Sequence, residues 1–156
     1  MSRSEAIAKS VSYLDSGEFL KDLEKIIRIP SESQTEEGLS HCRRYLDEIM
    51  IPIFIELGFD IKVFENPIQG FGPVLLTTRM ESSSLPTILG YGHGDVIRGM
   101  ADQWDQGRGP WLTTVDGERV YGRGTADNKG QHWINIIAMK HVLETRGKLG
   151  FNAKFL

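Results

Sequence analysis

The hydrophobic period of the chain first switches at Gly58, and this restricts the fold more than any other feature. Before the switch, apolar residues recur at helical spacing. Ile7, Val11 and Leu14 form one stripe, and Phe19, Leu20, Leu23, Ile26 and Ile27 form a second. Recurrence at three and four residues marks amphipathic helices. Ser16-Gly17 predicts a break between the two, and Ser2 and Glu5 have the spacing of a capping box. Pro30 predicts a stop, because the residue before a proline is driven out of the α region. Thr35 to Leu57 reads as the next helix, through Leu39, Cys42, Leu46, Ile49 and Ile53. Pro52 predicts a kink or an early end near Met50, and Gly58 a C-terminal cap.

After the switch, F-D-I-K-V-F-E alternates from Phe59 to Glu65, and Pro73–Arg79 and Thr87–Tyr91 predict two further strands. Asp116-Gly117 predicts a tight hairpin. Residues 128–146 return to helical spacing, and Gly147 ends them. Phe151–Leu156 reads either as the opening of another strand or as a short edge strand. Helices, then strands, then a helix and a strand predict a layered α/β domain with a mostly buried sheet.

Composition acts by exclusion. With 156 residues, 40% of them hydrophobic, the chain suits one globular domain. A formal net charge of -3 supplies no attraction to nucleic acid or to an anionic membrane. No segment approaches the ~18 consecutive apolar residues of a membrane span. Cys42 is the single cysteine, which excludes an intrachain disulfide and a multi-cysteine metal site. The N-terminus, MSRSEAIAKS, lacks the apolar run of a secretory leader, so the expected compartment is the cytoplasm.

Two glycine-rich stretches carry the chemistry. The first, I-L-G-Y-G-H-G-D at 88–95, follows a strand that reads as central. Its loop would therefore lie at a strand's carboxyl end, where α/β sheets bind ligands. His93 and Asp95 are two apart and point the same way in extended chain. They suit a metal ligand or acid–base histidine with a carboxylate on its second ring nitrogen, but a lone His-x-Asp is more often two polar loop residues. The second stretch is Tyr121-Gly-Arg-Gly-Thr-Ala-Asp-Asn-Lys-Gly130. Asp127 or Asn128 would cap the following helix. An anion-binding turn is a further reading, although the spacing matches neither glycine-rich phosphate motif. His132 and His141 lie nine apart on one predicted helix, about two and a half turns, and His41 sits on an amphipathic helix. All three read as packed or surface residues.

Together, G-H-G-D-V and Y-G-R-G-T-A-D-N-K-G resemble the signatures of the co-catalytic dinuclear zinc metallopeptidase and amidohydrolase family. That family includes aminoacylase, carnosinase-type dipeptidases, succinyl-diaminopimelate desuccinylase, acetylornithine deacetylase and glutamate carboxypeptidase. R-I-P-S at 28–31 and Trp104 and Trp111 extend the resemblance over most of the chain. It implies that His93 ligates one zinc, that Asp127 bridges two, and that Asp95 is the catalytic-site residue orienting His93. A cis peptide between Asp127 and Asn128 is implied as well. The implied cofactor is zinc, two per complete site, with cobalt or manganese as substitutes.

The implied fold is a three-layer αβα sandwich with a mixed, mostly parallel sheet, incomplete in this chain. Residues 1–156 would form the N-terminal portion of a catalytic domain. The dimerisation domain and the C-terminal part, with a Glu-Glu pair and the remaining ligands, would lie outside them. The implied activity is hydrolysis of an amide bond in a small peptide or N-acyl amino acid, with a homodimer as the expected assembly. Two ligands cannot close a zinc site, so the isolated chain is expected to be inactive. The alternatives are a truncated non-catalytic relative serving as a binding module, and the anion-binding module. Trp104, Arg108 and Trp111 would line an entrance or pack a loop.

Overall fold

The computed structural model describes residues 2–156. Helix α1 spans Arg3–Asp15, and Ser2 and Glu5 close the expected capping box at its start. Gly17 adopts a left-handed φ of 79° between α1 and α2 (Glu18–Ile27), a conformation that costs glycine little. Ala6 and Tyr13 turn inward on α1, whereas Ile7, Val11 and Leu14 are exposed. The apolar stripe read for that helix is therefore not its buried face.

Helix α3 (Glu36–Tyr45) is capped by Thr35, whose hydroxyl accepts from the Gly38 amide at 3.0 Å. Pro52 does not end the helical run. The chain widens into a π-helical turn at Leu46–Met50 and continues as α4 (Ile51–Glu56) with the proline in its first turn. Proline lacks the amide that a preceding α turn would need, and the wider turn removes that demand.

The strands are β1 (Asp60–Phe64), β2 (Val74–Arg79), β3 (Thr87–Gly90), the short hairpin β4 (Thr114–Asp116) and β5 (Arg119–Tyr121), and β6 (Asn152–Phe155). The predicted Asp116-Gly117 turn joins β4 to β5. Helix α5 (Lys129–Arg146) crosses between β5 and β6 and ends on left-handed Gly147. The main sheet has the order β1-β2-β6-β3.

This sheet corrects one expectation. It is mixed but mostly antiparallel, because β1 pairs antiparallel with β2 and β2 antiparallel with β6, leaving β3–β6 as the one parallel pair. The short 65–73 connection returns the chain beside β1, which fixes the first pair as antiparallel. Only the long 91–151 segment, with α5 in it, is a crossover of the kind a parallel pair requires. Ile61, Leu75, Ala153 and Phe155 share the face that meets the helices. On the opposite face Lys62, Phe64, Leu89 and Lys154 are exposed. The described residues form an α/β sandwich with a mixed sheet, its helices packed on the inner face.

Strand positions differ as well. β6 is not an edge strand; it threads between β2 and β3. β3, read as central, lies at the sheet edge with Ile88 and Leu89 exposed. The core gathers Ile26, Ile29, Tyr45, Phe54, Trp133, Ile136 and Ala153 between helices and sheet.

Candidate metal centre

Strand β3 delivers its glycine-rich loop to the sheet's carboxyl side, as the sequence implies. The loop leaves the sheet still tied to β6, with the Gly92 amide donating to Leu156 O at 2.9 Å. The 28–33 segment then braces it. Ser31 donates its hydroxyl to Gly94 O at 2.5 Å and accepts from the Val96 amide at 2.8 Å. Glu32 pairs with Val96 in an isolated parallel bridge. R-I-P-S was legible as part of a resemblance, and its physical work is this bracing.

His93 is held through one ring nitrogen. Its Nδ1 lies 3.0 Å from Asp95 O and 3.2 Å from Asp95 Oδ1. Both are acceptors, so Nδ1 carries the proton. Ser33 donates to Asp95 Oδ2 at 2.8 Å, a contact the sequence reading did not contain. His93 Nε2 then stands 3.1 Å from Asp127 Oδ1, at the N-terminal end of α5. A ring lone pair facing a carboxylate oxygen needs a cation between them, either a proton or a metal. Two donors on a tetrahedral zinc, with bonds of about 2.0 Å, sit about 3.3 Å apart. The pair therefore fits two positions of a zinc site. The Asp127 side chain is 88% exposed, so its carboxylate is accessible.

The Asp127–Asn128 peptide is cis, as the resemblance implies. Asn128 is the N-cap of α5 but makes no side-chain cap bond. Its Oδ1 instead accepts from the His93 amide at 3.2 Å and lies 2.9 Å from His132 Nδ1. Neither expected capping residue thus supplies a side-chain cap. The loop's amides are also used internally, Gly130 N to Gly124 O and Thr125 N to Gly122 O. An anion cradle would leave such donors free.

Lys129 is fully buried and donates to Ile26 O at 3.2 Å and Ile29 O at 2.7 Å. Burial pulls its amine down to about 8, against the pull of nearby Asp95. Burial pushes the Cys42 thiol up to about 11, with the Asp95 charge adding to it. A protonated thiol is a poor metal ligand. His132 and His141 are buried, and His41 bonds the Pro30 carbonyl region through Nδ1 at 3.2 Å, so none joins the pair. Arg108 stacks 3.8 Å over Tyr121, and the Trp104 indole donates to Gly99 O. These residues pack the 97–123 loop. Among the described residues, no three His, Cys, Asp or Glu side chains come together as a metal cluster. Beside the pair lies a groove of about 620 Å³ with His93 and Asp95 at its mouth and Leu46, Met50, Leu75 and Phe155 along it.

Sheet, braced loop and His–Asp pair define the N-terminal part of a peptidase-like fold that, among the described residues, lacks a complete metal cluster. The structure is similar to human carnosine dipeptidase 1, with a TM-score of 0.82 and 25% identity over 97% of this chain and 33% of that one. It is similar to a dipeptidase from Saccharomyces cerevisiae, with a TM-score of 0.77 and 26% identity over 97% and 33% of the two chains. An M20 family metallo-carboxypeptidase from Sulfolobus solfataricus gives a TM-score of 0.73 and 27% identity over 88% and 30%. In sequence, the acetylornithine deacetylase of Salmonella paratyphi B is 28% identical over 130 residues, 83% of this chain and 33% of that protein. No family model matches the chain. The chain thus shares family-level homology with the M20-type zinc peptidases and matches their N-terminal domain. It spans about a third of the length of the curated relatives it matches. No described helix is long and apolar enough to cross a membrane.

Proposed function

We propose that residues 1–156 form the metal-binding N-terminal portion of a catalytic domain that hydrolyses an amide bond in a small peptide or N-acyl amino acid. His93 and Asp127 would hold zinc in this portion, with Asp95 orienting His93. The observation that carries the reading is the 3.1 Å approach of His93 Nε2 to Asp127 Oδ1 while Nδ1 is held by Asp95. Zinc, when bound, supplies Lewis acidity toward an amide carbonyl. The residues of this chain bind and orient. Asp95 fixes the ring tautomer and leaves Nε2 as the free donor atom. The groove beside His93 has the size of a small-molecule site and an apolar lining. That lining supports a substrate with a hydrophobic side chain or acyl group.

Two ligands hold zinc weakly, and hydrolysis further requires a general base. The isolated chain is therefore inactive in this reading, and activity depends on groups supplied from outside these residues. A non-catalytic binding module is the second reading, favoured by the absence of a third ligand among the described residues. Zinc titration of the chain beside His93→Ala and Asp127→Ala tests the proposal. Weak binding that both substitutions remove is the expected result. Binding unchanged by either would overturn the site and leave the module.

A further inference from the structure

The glycines flanking His93 are set against a buried pair of rings. A Cβ on Gly92 would lie 2.7 Å from His132 Cβ, and a Cβ on Gly94 would run into the Tyr45 ring. Tyr45 is 1% exposed and His132 4%. The rings meet edge to face with centroids 5.9 Å apart, and the Tyr45 hydroxyl bonds His132 Nε2. On its other side, His132 Nδ1 meets Asn128 Oδ1 at 2.9 Å, the oxygen that also receives the His93 amide.

The direction of every proton in this chain is fixed. The His93 amide is only a donor, so the Asn128 atom facing it is the carbonyl oxygen. Asn128 Nδ2 faces the other way and donates to Gln131 Oε1 at 2.8 Å. His132 Nδ1 therefore donates to that oxygen, and Nε2 accepts from the Tyr45 hydroxyl. Burial raises the Tyr45 pKa, which keeps the hydroxyl a donor.

We propose that Tyr45 and His132 are positioning residues for the His93–Asp127 centre. Their hydrogen-bonded rings form the floor on which the Gly92-His93-Gly94 loop rests. Through Asn128 they also fix the His93 backbone against the residue that follows Asp127. The inference rests on the reading of His93 and Asp127 as metal ligands, but its structural half does not. Tyr45 comes from α3, far from either signature, so the loop is aligned by a helix that carries no ligand.

The test uses the full chain with 15N-labelled histidine. His132 is expected as the Nδ1–H tautomer, and Tyr45→Phe, which keeps the ring, is expected to shift its Nε2 resonance. His132→Asn retains a donor near the Nδ1 position, whereas His132→Gln places its amide near Nε2. The Asn variant should preserve the His93 amide exchange rate and zinc affinity within about threefold, and the Gln variant should lose about tenfold in affinity. An Nε2–H tautomer would overturn the proposal, as would Asn and Gln variants that behave alike in both measurements. If His93→Ala leaves zinc binding unchanged, the metal reading fails, while the tautomer and the His93 amide still decide the positioning.

Discussion

His93 Nε2 and Asp127 Oδ1 stand 3.1 Å apart although 34 positions separate them in the chain. One comes from the loop after β3 and the other from the N-terminal end of α5, and Asn128 ties the two through the His93 amide. The pair is therefore a product of tertiary structure. Neither signature closes it alone.

The pair separates affinity from stability at Asp127. Its side chain is 88% exposed and makes no core contact, so Asp127→Ala is expected to change unfolding free energy by less than about 0.5 kcal/mol. Zinc binding should nevertheless be lost. Urea denaturation and calorimetric titration on the same preparation check both halves. Unfolding of the variant would show that Asp127 is structural.

In the proposed site, Asp95 would act on a bound metal only through His93. Asp95→Asn removes the negative partner of Nδ1 and leaves the Asp95 carbonyl in place, so zinc affinity is expected to fall about tenfold rather than vanish. Ser33→Ala removes only the hydroxyl that holds the carboxylate, and its effect should be smaller. Cobalt absorption titrations rank the two. Equal affinities for wild type and Asp95→Asn would remove Asp95 from the site.

Lys129, between the site and the core, should behave in the opposite way to Asp127. Its fully buried ammonium satisfies the carbonyls of Ile26 and Ile29, which close the end of α2. Lys129→Met leaves both oxygens without that donor. A loss of roughly 2–4 kcal/mol is expected: two hydrogen bonds to a charged group contribute about 1.5–3 kcal/mol each, and relief of the buried ammonium's desolvation offsets part of that. The exposed Lys21→Met variant is the neutral control in the same urea series.

β3 presents an open edge among the described strands, with Leu89 66% and Ile88 51% exposed. Unpaired apolar edges template association. Sedimentation velocity at rising concentration should show self-association, weakened by Leu89→Lys, which puts a charge on the bare sheet face. A monomer at every concentration would count against the homodimer proposed for this family portion.

The parts of the fold that the sequence revealed were those written locally. Ser2 and Glu5, Gly17, Asp116-Gly117 and Gly147 each act within a few residues, and each does what its spacing implies. Strand order was not legible, because the insertion of β6 between β2 and β3 depends on pairing across the sheet. The alternation of β1 was readable, but no local pattern distinguishes an edge strand from a central one at β3. His93, Asp95 and Asp127 stood out through their glycine-rich settings. Tyr45, Ser33 and His132 did not, because each sits in an ordinary helical or loop pattern. His132 lies one helical turn after Asn128, which was the only sequence signal available for it.

The same buried histidine gives the chain an acid-sensitive stability. Burial holds the His132 pKa down to about 4, the neighbouring His93 and Lys129 add to the shift, and the Asn128 bond opposes it. Tyr45, packed from α3, stays neutral beside it. The unfolded chain binds this proton near pH 6.5. Between pH 6.5 and about 4 the unfolded state thus holds more protons than the folded one, so stability rises with pH across that window. The contribution is fully present above about pH 6.5 and falls progressively on acidification, by up to about 3 kcal/mol. Burial lowers the His141 pKa as well, which adds a loss of the same sign. Urea midpoints measured from pH 7 to 4 should therefore decline for the wild type and decline less for His132→Asn. Parallel profiles for the two would mean that His132 is not held neutral by the fold.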